Sequence, residues 1–89
     1  MRVHEFRIAA DLEREELIAI SVKASRFISD IILSFTYNDS DHTVDVKSLL
    51  GILLLPIKAG SIVCLRTRGR DELEALEYVL GLFAAKEGG

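Results

Sequence analysis

Four groups of side chains in this sequence have the type and spacing for chemistry. Ser48 stands directly before the apolar run Leu49-Leu50-Gly51-Ile52-Leu53-Leu54-Leu55, where a hydroxyl reads as a helix N-cap accepting a bond from a first-turn amide. Asp11, Glu13, Glu15 and Glu16 cluster around Arg14, as acids do at the positive end of a helix dipole. His4 and His42 are the two imidazoles. Neither is placed at a helix start with an arginine beside it, so neither has the setting of an anion-accepting histidine. His42 with Asp39 and Asp41 offers donors to a metal, but these residues lie in a stretch composed like a turn, and no metal site is expected.

The elements that position these groups follow from hydrophobic periodicity. Residues 2–9 alternate as a half-buried strand with Phe6 and Ile8 inward. A helix capped by Asp11 or Glu13 then carries the stripe Leu17, Ile20, Ser21, Ala24, Phe27 and Ile28. Ile31, Leu33 and Phe35 form the inner face of a second strand, which partners a third over about 42–46 through a loop at Tyr37-Asn38-Asp39-Ser40-Asp41. The Ser48 helix is closed by Pro56, which lacks an amide donor. A fourth strand begins at Gly60-Ser61 with Val63, Leu65 and Thr67 inward and Ile62, Cys64, Arg66 and Arg68 outward. The last helix follows Gly69 and buries Leu73, Leu76, Tyr78, Val79, Leu80 and Phe83, with Glu72, Glu74 and Glu77 on its wet side. Gly88-Gly89 is expected to fray. The order β-α-β-β-α-β-α predicts an α+β two-layer sandwich, a four-stranded antiparallel sheet with three helices on one face and the other face open to solvent.

Composition narrows the function classes. The chain has 89 residues, 49% hydrophobic and 28% charged, which fits one soluble domain over 1–89. A net charge of -3 gives no electrostatic footprint for nucleic acid. The longest apolar run, residues 49–57, falls short of the about 20 residues that span a bilayer, and the N-terminus lacks the apolar core of a signal peptide. A cytoplasmic protein without membrane association is expected. The lone Cys64 fits a reducing compartment. There is no P-loop, dinucleotide glycine pattern, paired-cysteine motif or histidine near a nucleophile, so neither a cofactor nor enzyme activity is expected.

The stretch Val44-Asp45-Val46-Lys47-Ser48-Leu49-Leu50-Gly51-Ile52-Leu53-Leu54-Leu55, followed by Lys58-Ala59-Gly60-Ser61, resembles the second-helix signature of HPr, the histidine phosphocarrier of the bacterial sugar phosphotransferase system. Lys23-Ala24-Ser25-Arg26-Phe27-Ile28-Ser29-Asp30-Ile31 and Gly69-Arg70-Asp71-Glu72-Leu73-Glu74-Ala75-Leu76 resemble that family's first-helix end and last-helix entry. The resemblance implies an HPr-like open-faced sandwich with sheet order 1-4-2-3. It also implies a site that is altered here. The family's Gly-Leu-His-Ala-Arg-Pro motif is not in this sequence, and counting back from Phe27 without a gap puts Glu13 at the place of its phosphorylated histidine. Glu15 falls where its arginine would be.

The resemblance further implies that Ser48, in the same Lys-Ser-aliphatic-aliphatic-Gly setting, is a regulatory phosphorylation site, and that Leu49, Leu50 and Leu53 face protein partners such as a regulator or kinase of the phosphotransferase system. Ile32, Ile62 and Cys64, apolar on the open sheet face, imply a dimer or partner interface. The expected function is that of a non-catalytic HPr-like regulatory protein not competent as a histidine phosphocarrier. The alternative is a working phosphotransferase component using an unconventional acceptor such as His4 or Glu13.

Overall fold

The structure, a computed structural model, describes residues 1–55 and 58–84. Its elements are β1 (Arg2–Arg7), α1 (Arg14–Ala24), β2 (Asp30–Tyr37), β3 (Ser40–Asp45), α2 (Leu49–Leu53), β4 (Ile62–Arg68) and α3 (Glu72–Ala84). The four strands make one antiparallel sheet in the order β1-β4-β2-β3, and the three helices cover one of its faces.

Alternation along the central strands decides which face is covered. Ile31, Leu33 and Phe35 of β2 and Val63, Leu65 and Thr67 of β4 are buried against Leu17, Ile20, Ala24, Ile52, Leu76, Val79 and Phe83 of the helices. This is the inner face expected from a period of two residues. Side chains of the opposite register point to the open face. Thr67 is tolerated in the core because its hydroxyl donates to the Glu72 carbonyl at 2.7 Å.

Four expectations are corrected. Ile28 is 68% exposed rather than buried: α1 ends at Ala24, the Ser25 hydroxyl turns back to the Ser21 carbonyl at 2.9 Å, and the helical period no longer applies. Leu73 is exposed as well, and Ala75 takes the buried place, because α3 begins at Glu72 and sets its inward stripe by Ala75, Leu76, Val79 and Phe83. Glu72 does not simply face water, since its carboxylate takes the Gly69 amide at 3.2 Å and the Met1 amino group at 2.8 Å. The 37–41 loop is only a two-residue turn: Tyr37 pairs with Ser40, and Asn38 and Asp39 take φ of 52° and 63°. Two positive φ values match the twist of a hairpin, and Asn and Asp tolerate them better than most residues. Pro56 and Gly88-Gly89 lie outside the described residues.

Candidate functional site

The approach to α1 and the segment after α2 meet at one end of the covered face. The Asp11 carboxylate accepts the Ala59 amide at 2.8 Å, and Ile8 exchanges backbone bonds with Gly60 and Ser61 at 2.7 and 2.8 Å. These bonds tie the approach to α1 to the segment after α2. Asp11 is therefore a cross-loop clamp, and the N-cap is Glu13, with extended backbone (φ -83°, ψ 163°). The Glu13 amide donates to Glu16 Oε1 at 3.0 Å, so a donor orphaned by the helix start is satisfied by a carboxylate of its own first turn. Glu15 and Glu16 add charge at the positive dipole end. No histidine occurs between Ile8 and α2 other than His42. His4 lies on β1 in a stacked contact with Phe6 at 6.3 Å, and His42 lies on β3 stacked on Phe35 at 5.6 Å.

Ser48 caps α2, its hydroxyl oxygen accepting the Gly51 amide at 3.3 Å. Space there is limited: a Cβ on Gly51 would stand 3.3 Å from Ser48 Oγ. The residue before it is held in place, with the Lys47 amide donating to Asp45 Oδ1 at 2.9 Å and its Nζ donating to the Phe27 carbonyl at 3.2 Å. That carbonyl follows α1, so Lys47 links the cap of α2 to the end of the first helix.

An HPr family profile, described as the PTS HPr component phosphorylation site, matches residues 7–85. The chain belongs to the HPr family. It is 32% identical over 68 residues to the phosphocarrier protein HPr of Cupriavidus necator, covering 76% of each chain. It is 31% identical over 83 residues to the HPr-like protein Crh of Halalkalibacterium halodurans, covering 93% of each. The solved HPr-C-His of Thermoanaerobacter tengcongensis overlays with a TM-score of 0.81 at 27% identity, over 100% of this chain and 98% of its own. The Crh structure of Bacillus subtilis, a swapped dimer, overlays with a TM-score of 0.69 at 29% identity, over 96% of this chain and 93% of its own. Among the described residues no helix is long and apolar enough to cross a membrane, and no group of three or more His, Cys, Asp or Glu could hold a metal ion.

The leucines of this HPr-family chain divide by burial. Ile52 is fully buried and fixes α2 on the core; Leu53 packs against it half-buried. Leu49 is exposed, and Leu50 and Leu54 are the most open at 73% and 74%. Separated by four positions, these two share a side of the helical turn. They line an open groove of about 540 Å³ together with Leu12, Arg14, Leu17, Leu53 and Leu55. Leu12 and Arg14 are not among the contact residues that the sequence suggests. The groove forms only where residues 12–17 meet 50–55 in space, and a one-dimensional period cannot report that meeting.

Ile32, Ile62 and Cys64 fall on the open sheet face but do not form a continuous apolar row. Ile32 is opposite Arg66, Cys64 is opposite Ser34 on one side and Glu5 on the other, and Ile62 is opposite Arg7. Cys64 and Ile62 therefore follow one another along β4, with Ile32 of β2 diagonal to Cys64, and polar residues flank all three.

Proposed function

We propose that this HPr-family chain acts by protein contact, without carrying phosphate on histidine, and that its Ser48 helix is the regulated docking surface. The observation that carries the reading is the start of α1, where the N-cap is Glu13, followed by Glu15 and Glu16, whereas the two imidazoles stand on β1 and β3. A phosphoryl dianion brought to that helix start would meet three carboxylates, and like charges at close range oppose its formation. Glu13 itself is a poorly placed relay, since Glu15 stands where a cation would clamp a phosphoryl group.

Ser48 carries the regulation in this reading. Its side chain is exposed and already oriented to a free amide of α2, and a phosphate placed on an N-cap gains charge-assisted bonds without unfolding the turn. The modification would set about two negative charges beside Leu49 and Leu50, changing which partner the apolar groove accepts. The protein is non-enzymatic and cytoplasmic in this reading, and its partner is a regulator or kinase of the phosphotransferase system. The Crh relatives are described as HPr-like and, for Bacillus subtilis, as a catabolite repression protein, which supports a regulatory role. The open sheet face is a second contact surface, remote from α2.

The test is a pull-down of the full chain with and without Ser48→Asp and Leu50→Ser, read by mass spectrometry. The reading expects a partner whose recovery changes at least fivefold with both substitutions. Recovery indifferent to both would refute the docking surface.

A further inference from the structure

The open sheet face carries charges that form no ion pair among the described residues, although Asp30 and Arg68 stand opposite each other across β2 and β4. Arg7 of β1 and Arg66 and Arg68 of β4 point there, as do Asp30 of β2 and Asp41 and Asp45 of β3. All six are exposed, and among the described residues none is in an ion pair. Asp41 and Asp45 make only local bonds, to the Thr36 hydroxyl at 3.1 Å and the Lys47 amide at 2.9 Å. The β1-β4 half thus carries three guanidinium groups and one carboxylate, Glu5, and the β2-β3 half three carboxylates. Charges that protect a sheet edge would be found on edge strands, whereas two of these arginines lie on β4, a central strand.

We propose that two copies of this chain pair reversibly, open face against open face, about a twofold axis parallel to the strands. The inference rests on the open sheet being a contact face and does not depend on the fate of the histidine relay. That axis lays β4 over β2 of the other copy and β1 over β3. It brings Arg68 to the partner's Asp30 and Arg7 to the partner's Asp41. Arg66 covers the partner's Ile32, with the partner's Asp45 one strand spacing away, about 4.8 Å. Glu5 meets the partner's Thr43, a neutral neighbour. In an isologous interface every such pair occurs twice. An axis across the strands would instead stack β3 on β3 and oppose Asp41 to the partner's Asp45, so the pattern selects one arrangement.

The face is small. Four strands about 4.8 Å apart and roughly six residues long at about 3.3 Å each give a sheet of ~400 Å², half the ~800 Å² per partner of a standard interface. Association in the high-micromolar range is therefore expected, driven by charge complementarity and the apolar group Ile32, Cys64 and Ile62.

Arg7 and Asp41 provide the test, since they stand on the two outer strands with β4 and β2 between them and a charge exchange cannot be compensated within one copy. Sedimentation of the full chain should show dimerisation weakened at least tenfold by Arg7→Asp and by Asp41→Arg alone. Mixing the two variants should restore it to within threefold of the original, because every repulsive contact becomes attractive in the mixed pair. Cys64 gives an independent reading. With strands about 4.8 Å apart and sheets about 10 Å apart, the two Cys64 Cα atoms lie ~11 Å apart, too far for a disulfide, which needs less than about 7 Å. A bis-maleimide with a spacer of matching length should link them, and Cys64→Ser should abolish the product. A chain monomeric at millimolar concentration, a dimer indifferent to the single reversals (as one made by exchanged strands would be), or variants that fail to pair on mixing would overturn the proposal.

Discussion

Ser29 donates its backbone amide and its hydroxyl to the carboxylate of Asp71, which is 42 positions away in sequence. The amide bond is 2.9 Å, and the neighbouring Ile28 amide adds another at 3.0 Å. The entry to β2 is thereby fastened to the start of α3, and the two layers are joined at the end of the sheet opposite the hairpin. Asp71 has its carboxyl held below the usual value of 3.8, first by the Ser29 hydroxyl and then, against the opposing cost of desolvation, by the amides of Ile28, Ser29 and Asp71 itself.

The sign of the pH dependence follows. The folded-state carboxyl is more acidic than the unfolded one, so its contribution is complete above the unfolded value of 3.8 and is lost as pH falls through the lower folded value. Asp71→Asn should lower Tm at pH 7, and the gap from the original protein should narrow as pH falls below 3.8. Thermal melts monitored by circular dichroism between pH 2 and pH 7 measure it; a gap that stays constant would show that the charge of Asp71 is not what holds the junction.

Gly69 stands at the same junction with φ of 150°, and a Cβ there would fall 2.6 Å from Ser29 Oγ and 2.7 Å from Ser29 Cα. The second contact is with backbone and cannot be relieved by a rotamer change. Gly69→Ala should cost about 1–3 kcal/mol in urea denaturation, the range for overpacking. An unchanged midpoint would mean that β2 and the α3 entry move apart easily.

At α2, Ser48→Ala should cost about 1 kcal/mol through loss of the cap, while Ser48→Asp, which keeps an acceptor at the same place, should stay close to the original stability. The pair separates a cap from a modification site: equal stability of all three proteins would indicate that the Gly51 amide finds water as readily as it finds Ser48.

Ile52 and Leu50 lie two positions apart on α2 with opposite expected effects. Ile52→Ala, at a fully buried position, should cost about 2–5 kcal/mol. Leu50→Ser, at an open one, should remain within about 0.5 kcal/mol yet lose the partner proposed for the groove. Urea titration with a binding assay on the same samples checks both at once.

Much of this fold is legible residue by residue. Val63, Leu65 and Thr67 alternate with Ile62, Cys64, Arg66 and Arg68 so cleanly that both faces of β4 can be assigned before any contact is known, and Ser48 before an apolar run marks its helix. The HPr resemblance supplies the sheet order, which periodicity alone does not contain. Ile28 was misplaced because a helical stripe has no internal sign of where it stops. The composition of 37–41 marks a turn but does not distinguish two residues from five. The Asp11 to Ala59 and Asp71 to Ser29 bonds were invisible because they depend on loops brought together by the finished sandwich. The groove at Leu12, Leu50 and Leu54 is hidden for the same reason.

The proposal that this chain carries no phosphate on histidine is tested most directly by incubating the full chain with phosphoenolpyruvate and the upstream phosphotransferase, then measuring intact mass and acid lability. The account predicts no added phosphate beside a conventional HPr that is fully labelled in the same tube. An acid-labile phosphate on His4 or His42, or an acyl phosphate on Glu13, would contradict it.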